Sequence, residues 1–345
     1  MKPELTHRLL SLLNEYHSLG IAEQIDYKKF YLYSIITHST AIEGSTVTEI
    51  ENQLLFDEGI TAQGRSLQEQ MMNLDLKAAY EQSFVYAQKH TVYSVDLLCG
   101  LSALVMKNTG SEYNTLLGNF SAAKGELRLL NVSAGIGGKS YLSFQKVPER
   151  LSEFCQWLNA ERAVIDKNDI GKVYDLSFEA HYRLVNIHPW ADGNGRMSRL
   201  VMNMIQHEFG VVPSIVKKEK RKYYITSLEQ SERAESSEKF KAFMLQHHCD
   251  NLLRQIKEYK ASMEDVDIKN EVGSQKSSQK SGQKSSQKIV AMISEDSKIT
   301  TQEMAEKIGI SRRAVAKAIA KLQAEGIIRR VGPDKGGHWE VTTSI

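Results

Sequence analysis

The chain has 345 residues, 25% of them charged, and a formal net charge of +2. That length exceeds the usual single-domain size, so a large core and at least one smaller unit are expected. The near-neutral balance excludes a surface that draws the whole protein to nucleic acid or membrane and leaves only local basic patches. Cys99, Cys155 and Cys249 lie far apart with no CxxC pair, which excludes a disulfide framework and suits reduced thiols in the cytoplasm.

The first stretch, MKPELTHRLLSLLNEY, mixes charges into its apolar residues and has no signal-peptide core. With no apolar run of membrane-spanning length elsewhere, a soluble cytoplasmic protein with no membrane partner is expected. YKKFYLYSIITHSTAIEG and TVTEIENQLLF read as two helices broken at Gly44, the second with Thr46 and Glu49 at capping-box spacing. Further helices are predicted over 67–89, 94–107, 147–160 and 170–187. Ahead of the third of these, ELRLLNVSAGIGGKSYLSFQ has β-leaning runs around a glycine-rich turn and reads as a hairpin. Its edge is either a plain surface or a place where an extended peptide adds as a strand.

The helix over 170–187 stops because Pro189 pushes the residue before it out of helical geometry. HPWADGNGRMSR follows, and Met197, Leu200, Val201, Met204 and Ile205 then fall on one helical face. Gly193, Asn194 and Gly195 therefore lie at a helix N-terminus, where backbone N–H groups and the helix dipole favour phosphate. The glycines let the backbone close on an anion, and Asn194 adds a directed donor. Arg196 and Arg199, three residues apart, suit a guanidinium clamp on phosphate oxygens. Asp192 is a hard oxygen ligand suited to Mg²⁺ beside a polyphosphate, and His188 can take a proton from a hydroxyl. Each feature alone has a structural explanation: DG and NG are common turns, and a helix-terminal histidine often only caps. One phosphate ligand accounts for all of them together, and no GxxxxGK[ST] P-loop is present.

Those seven residues resemble the Fic motif HxFx[D/E]GNGRxxR, of enzymes that typically transfer AMP from ATP to a protein hydroxyl, with Trp190 where the family usually has Phe. The resemblance runs from about 30 to 245, and GELRLLNVSAGIGG resembles the flap that aligns a target segment. It implies His188 as the base, Asp192 as the Mg²⁺ ligand, and Asn194 with the Gly193 and Gly195 amides on the α- and β-phosphates. Arg196 and Arg199 would contact the phosphate tail, and Tyr223 or Tyr224 adenine, unless Tyr224 is simply a buried helix residue. STAIEG, 39–44, is similar to the inhibitory-helix motif [S/T]xxxE[G/N], and GRSLQEQ to a segment that follows it. Ser39 and Glu43 share a helix face, and the resemblance points to Arg199 as the partner of Glu43. An isolated helix end with a glycine cap is the plainer reading of the same residues.

NEVGSQKSSQKSGQKSSQK lacks apolar anchors and reads as a flexible linker, or alternatively as a basic nucleic-acid tether. Beyond it, a helix is expected from about Lys288. A capped helix (Thr300, Glu303), a turn at Gly309, an N-cap at Ser311 and a helix with Val315, Ile319 and Leu322 inward should follow, then two short strands around a glycine-rich wing. This resembles a winged helix-turn-helix, with Arg312, Arg313 and Lys317 facing a DNA major groove and Lys335 a phosphate or minor groove, or else a protein-docking module.

The expected fold is thus mainly α: a Fic-type helical core with a β-hairpin flap and a small C-terminal winged-helix domain. The boundaries are 1–110 for an N-terminal helical region with the inhibitory helix, 111–262 for the catalytic core, 263–287 for the linker and 288–345 for the winged helix. The expected function is an auto-inhibited adenylyltransferase using ATP and Mg²⁺ on a target protein, itself included. The alternatives are a hydrolase removing AMP and a DNA-binding regulator with a nucleotide-sensing core. A homo-oligomer is left open.

Overall fold

The computed structural model describes residues 3–24, 26–133, 140–275, 280–308, 312–324, 326–332 and 337–342, with backbone alone at 264–275, 280–287, 313, 314, 317, 321 and 324. Two compact units divide the chain, Met1–Glu258 and Tyr259–Ile345.

The first unit opens with α1 (Pro3–Ser18), α2 (Tyr27–Ile42), α3 (Glu49–Glu58), α4 (Leu67–Gln88) and α5 (Val95–Val105). α2 ends at Glu43, and Gly44, with φ +106°, turns the chain toward α3. The α3 capping box is Thr48 with Glu51, not Thr46 with Glu49. TVTEIE contains the spacing twice, and a distant residue settles the choice. Glu69, itself in a capping box with Ser66 at the start of α4, accepts from both Thr46 N and Thr46 Oγ1 at 2.7 Å. Glu49 instead accepts from Ser34 Oγ at 2.7 Å.

A two-stranded antiparallel hairpin follows, β1 (Glu112–Thr115) with β2 (Gly118–Ser121), in which Tyr113 faces and stacks on Phe120. Sequence patterning expected the hairpin later, over 126–145. There the described residues make a single bridge, Ser133 with Ser140, and residues 134–139 lie outside the described set. The carbonyls of Leu130 and Leu142, on either side, accept from the Arg128 side chain, and Tyr141 N donates to Val132 O at 3.0 Å.

α6 (Val147–Val164), α7 (Ile170–Ile187), α8 (Asn194–Glu208), α9 (Arg221–Arg233) and α10 (Glu238–Gln275) complete the core. α8 lies at its centre, packed by α7, α4, α5 and α2, and every residue from Arg196 to Gln206 is buried. The apolar face read from the sequence is therefore only part of the packing surface. Polar residues on the other faces are satisfied one by one, as buried groups must be. Asn203 accepts from Tyr80 Oη (2.8 Å) and donates to Ser214 O (2.9 Å), and Gln206 binds Ser177 and Ser214.

α10 runs to Gln275 and α11 spans Lys280–Glu295, so the described backbone is helical through much of the stretch read as linker. No proline interrupts its Gln, Lys and Ser, and adding a turn to an existing helix costs little. In the second unit, α12 (Thr301–Ile308) carries the Thr300–Glu303 capping box. α13 (Arg312–Ala324) and the antiparallel pair β3 (Ile328–Val331) and β4 (His338–Val341) follow. Val315, Ile319 and Leu322 are buried with Ile289, Ile293 and Trp339, the core of a winged helix. Gly309, Ser311 and Lys335 lie outside the described residues.

Candidate active site

The site is built at the α7–α8 connection. His188 closes α7, its N–H donating to Leu184 O at 3.1 Å, in the left-handed region at φ +51°. A non-glycine residue held there is costly and marks a constrained position. Its Nδ1 lies 3.3 Å from Val185 O, and its ring stacks on Tyr141 at 3.7 Å. A proton on Nδ1 donated to that carbonyl leaves the lone pair on Nε2.

Trp190 is fully buried, and its Nε1 donates to Gly125 O at 3.0 Å, a bond that Phe could not make. Asn194 holds the tight turn: its Oδ1 accepts from Trp190 N (3.1 Å) and its Nδ2 donates to Trp190 O (2.8 Å). One of the two N–H groups of the amide expected to hold phosphate is thus engaged in shaping the loop. Gly193 begins α8 at φ +81° with no side-chain cap, so the first-turn N–H groups are left to an anion. Asp192 Oδ1 accepts from Gly193 N at 2.6 Å, and its side chain is 63% exposed.

The two arginines differ. Arg196 is buried against the end of α5, with NH1 3.4 Å from Val105 O, NH2 3.0 Å from Met106 Sδ and Asp192 3.7 Å away. Burial pushes its pKa down, countered by Asp192. It does not form an open fork beside Arg199, and its charge acts from beneath. Arg199 points into the site with its fork occupied. Nε donates to Ser39 Oγ (2.8 Å), NH2 to Ser39 O (3.0 Å) and to Glu43 Oε1 (2.5 Å), and NH1 lies 3.4 Å from Tyr224 Oη. Burial opposes the charges on both Glu43 and Arg199. Their attraction outweighs it, holding the Glu43 carboxyl below its ordinary 4.5 and raising the Arg199 pKa. A Cβ at Gly195 would strike Glu43 Oε1 and Arg199 NH1. The carboxylate therefore sits over the first turn of α8, where the helix would receive an anion.

Tyr224 is buried and Tyr223 is 62% exposed. Arg312 is exposed, while the side chains of Arg313 and Lys317 lie outside the described set. No group of three or more His, Cys, Asp and Glu residues suited to a metal occurs among the described residues.

Several residues that shape this site carry no local sequence signal. Asn73 Oδ1 accepts from Thr40 (2.8 Å) and Asn52 (2.9 Å), while Asn52 also donates to Thr37 (2.7 Å), a buried polar knot pinning α2 to α3 and α4. Arg221 Nε donates to Ile42 O at 2.7 Å, closing the end of α2 from α9. Arg128, 1% exposed, donates to His188 O (2.8 Å), Leu130 O (2.8 Å) and Leu142 O, tying both sides of the 134–139 stretch to the site. Only partners far along the chain reveal these roles.

Residues 92–206 match the Fic/DOC family, and residues 283–329 a family described as winged helix-turn-helix DNA-binding. The chain is 27% identical over 293 residues to protein adenylyltransferase fic-1 of Caenorhabditis elegans, covering 83% of this chain and 48% of that one. It is 30% identical over 216 residues to protein adenylyltransferase Fic of Culex quinquefasciatus, covering 61% and 39%. The chain thus spans about half or less of these relatives' length. Among solved structures, a Fic family protein of Desulfovibrio desulfuricans superposes with TM-score 0.60 at 17% identity, covering 100% of this chain and 97% of that one. A Fic domain-containing signaling protein of Bacteroides thetaiotaomicron gives 0.60 at 21%, covering 74% and 97%. At these identities the structures establish the fold. No helix among the described residues is long and apolar enough to cross a membrane.

Replacing Arg128 with Met leaves three carbonyls without their charged donor. It should lower the unfolding free energy by about 3 kcal/mol and accelerate amide exchange around residues 130–133 and 140–142. Denaturant unfolding and hydrogen exchange check this, and unchanged exchange there would contradict the anchoring role.

Proposed function

We propose that this chain, which carries a Fic domain followed by a winged helix-turn-helix domain, transfers AMP from ATP to a hydroxyl of a target protein, itself included, and is restrained by its own α2. The observation that carries this reading is the Glu43 carboxylate, which sits on Arg199 and over Gly195 at the uncapped start of α8. An anion site filled by the protein's own carboxylate, next to a constrained histidine, suits a competitor for nucleotide phosphate. The names of the relatives supply the chemical class.

In the proposed step, His188 Nε2 takes the hydroxyl proton while that oxygen bonds to the α-phosphorus. The bond to the bridging oxygen breaks, and pyrophosphate leaves with its electron pair. The backbone N–H groups of Asn194 and Gly195 and the charge of Arg199 bind and orient the phosphates, the larger share of such catalysis. Asp192 fits a Mg²⁺ site: Mg²⁺ commonly takes only one or two carboxylates, with substrate phosphates and water completing its shell. An exposed carboxylate beside the α8 N-terminus has that character. The ion would supply neutralisation of phosphate charge.

The reverse activity, removal of AMP, is the second reading. Glu43 keeps 33% of its side chain exposed while bound to Arg199, so it can orient a water. For the tail we propose weak duplex DNA binding through Arg312, Arg313 and Lys317, in line with the family its sequence matches.

Glu43→Gly should raise AMP transfer from labelled ATP at least about tenfold, equivalent to about 1.4 kcal/mol of relieved restraint. Unchanged transfer in the folded, ATP-saturated variant would contradict restraint by α2, and loss of AMP removal from a modified protein would favour the hydrolase. The Glu43 carboxyl is held below its ordinary 4.5. Its restraint is therefore present above that value and is lost only as pH falls through the lowered one, leaving the ratio of variant to parent flat down to about pH 5.

His188→Ala should abolish transfer while leaving ATP affinity within a few fold, because it removes a base and few phosphate contacts. Transfer at the parental rate would overturn the assignment. Fluorescence anisotropy of the full chain with duplex DNA should show binding at low salt that weakens as salt rises and weakens further in Arg312→Ala. No binding at low salt would make the tail a protein-docking module.

A further inference from the structure

Arg199 is held from two sides, and the sides are not equivalent. Ser39 and Glu43, both from the end of α2, take Nε and NH2. NH1, the nitrogen lying against the Cβ position of Gly195, has Tyr224 Oη as its hydrogen-bond partner, at 3.4 Å. The nitrogen nearest the start of α8 is thus addressed by α9.

The directions of these bonds follow from donor chemistry. A guanidinium only donates, so Tyr224 accepts from NH1 and its own proton needs an acceptor. His181 Nε2, 2.9 Å away, is that acceptor, which requires a neutral ring protonated on Nδ1. Full burial, reinforced by Arg199, drives the His181 pKa well below its ordinary value and keeps it neutral. The ring is fixed by stacking on Phe240, at 4.8 Å and 24°. His181 Nδ1 has no hydrogen-bond partner among the described residues.

We infer that Tyr224, oriented by neutral His181, is a positioning residue that keeps Arg199 NH1 aimed at the phosphate site when Glu43 gives up its hold, and is not a contact to adenine. The inference rests on the reading of Arg199 as a phosphate ligand. The chain NH1 to Oη to Nε2 is independent of α2, so it survives the loss of the carboxylate. It supplies a pre-set guanidinium where a freed side chain would otherwise pay ordering entropy on binding. Tyr224 lies 2% exposed beneath Arg199, which leaves its ring no open face for a base.

The test compares Glu43→Gly with Glu43→Gly/Tyr224→Phe by calorimetric titration with Mg²⁺-ATP and, separately, with AMP. Phe keeps the ring and removes only the hydroxyl. Affinity for ATP should weaken by about fivefold, the size of one lost hydrogen bond, with AMP affinity unchanged. Glu43→Gly/His181→Phe should shift ATP affinity in the same direction. A purely structural histidine would leave the ATP-to-AMP ratio unmoved. Unchanged ATP affinity in the Tyr224→Phe variant, or equal weakening of ATP and AMP, overturns the inference while leaving the nucleotide reading intact. A Glu43→Gly protein that binds no ATP overturns both.

Discussion

One buried guanidinium organises the site, and in the proposed reading a carboxylate and a nucleotide phosphate compete for it. Arg199 is 3% exposed, and a charge so buried needs a partner. In the structure that partner is a carboxylate from the same chain, 2.5 Å away. Removing one member of a buried ion pair normally costs several kcal/mol because the other is stranded. In the proposed reading a nucleotide phosphate would remove that difficulty by replacing one anion with another. The proposed restraint therefore needs no second folded form of the catalytic helix, only a withdrawal of Glu43. Asn73, Asn52 and Arg221 set how costly that withdrawal is, since they pin the helix that carries the carboxylate.

The rest of the core keeps Arg199 and the α8 N-terminus in place. α8 is buried on all faces, and its polar side chains each have a directed partner, so rotation or sliding would break several bonds together. The loop before it is clamped by Asn194 and anchored by Trp190, and the base of the 134–139 stretch is tied to His188 by Arg128. A site of this kind is organised before any ligand arrives, which is where electrostatic binding gains most.

The parts legible in the sequence are those whose causes are local. Pro189 ends α7, Gly193 opens α8, the Thr300–Glu303 box starts α12, and the period of Val315, Ile319 and Leu322 marks an inward face. Ser39 and Glu43 are also local, being one helical turn apart, and the structure brings both to Arg199. The misreadings share an opposite origin. Thr46 offered a good capping-box spacing, but Glu69, 23 residues on, takes it. Arg196 looked like a second fork beside Arg199, yet the approach of α5 buries it against Val105 and Met106. Within 126–145 the described residues keep the antiparallel Ser133–Ser140 bridge and Tyr141 N to Val132 O, with the Leu130 carbonyl taken by Arg128, while the shorter 112–121 segment closes into strands around the Tyr113–Phe120 stack. The Asn52–Asn73 knot spans 21 residues, and no spacing rule announces it.

The central claim is that Glu43 and the terminal phosphate of ATP compete for Arg199. Measuring ATP and ADP affinities side by side, in the parent protein and in Glu43→Gly, tests it most directly. The account predicts that the parent binds the two nucleotides almost equally, because Arg199 is occupied, and that Glu43→Gly prefers ATP by about tenfold, near 1.4 kcal/mol for the added contact. The same ATP-to-ADP ratio in both proteins would contradict it.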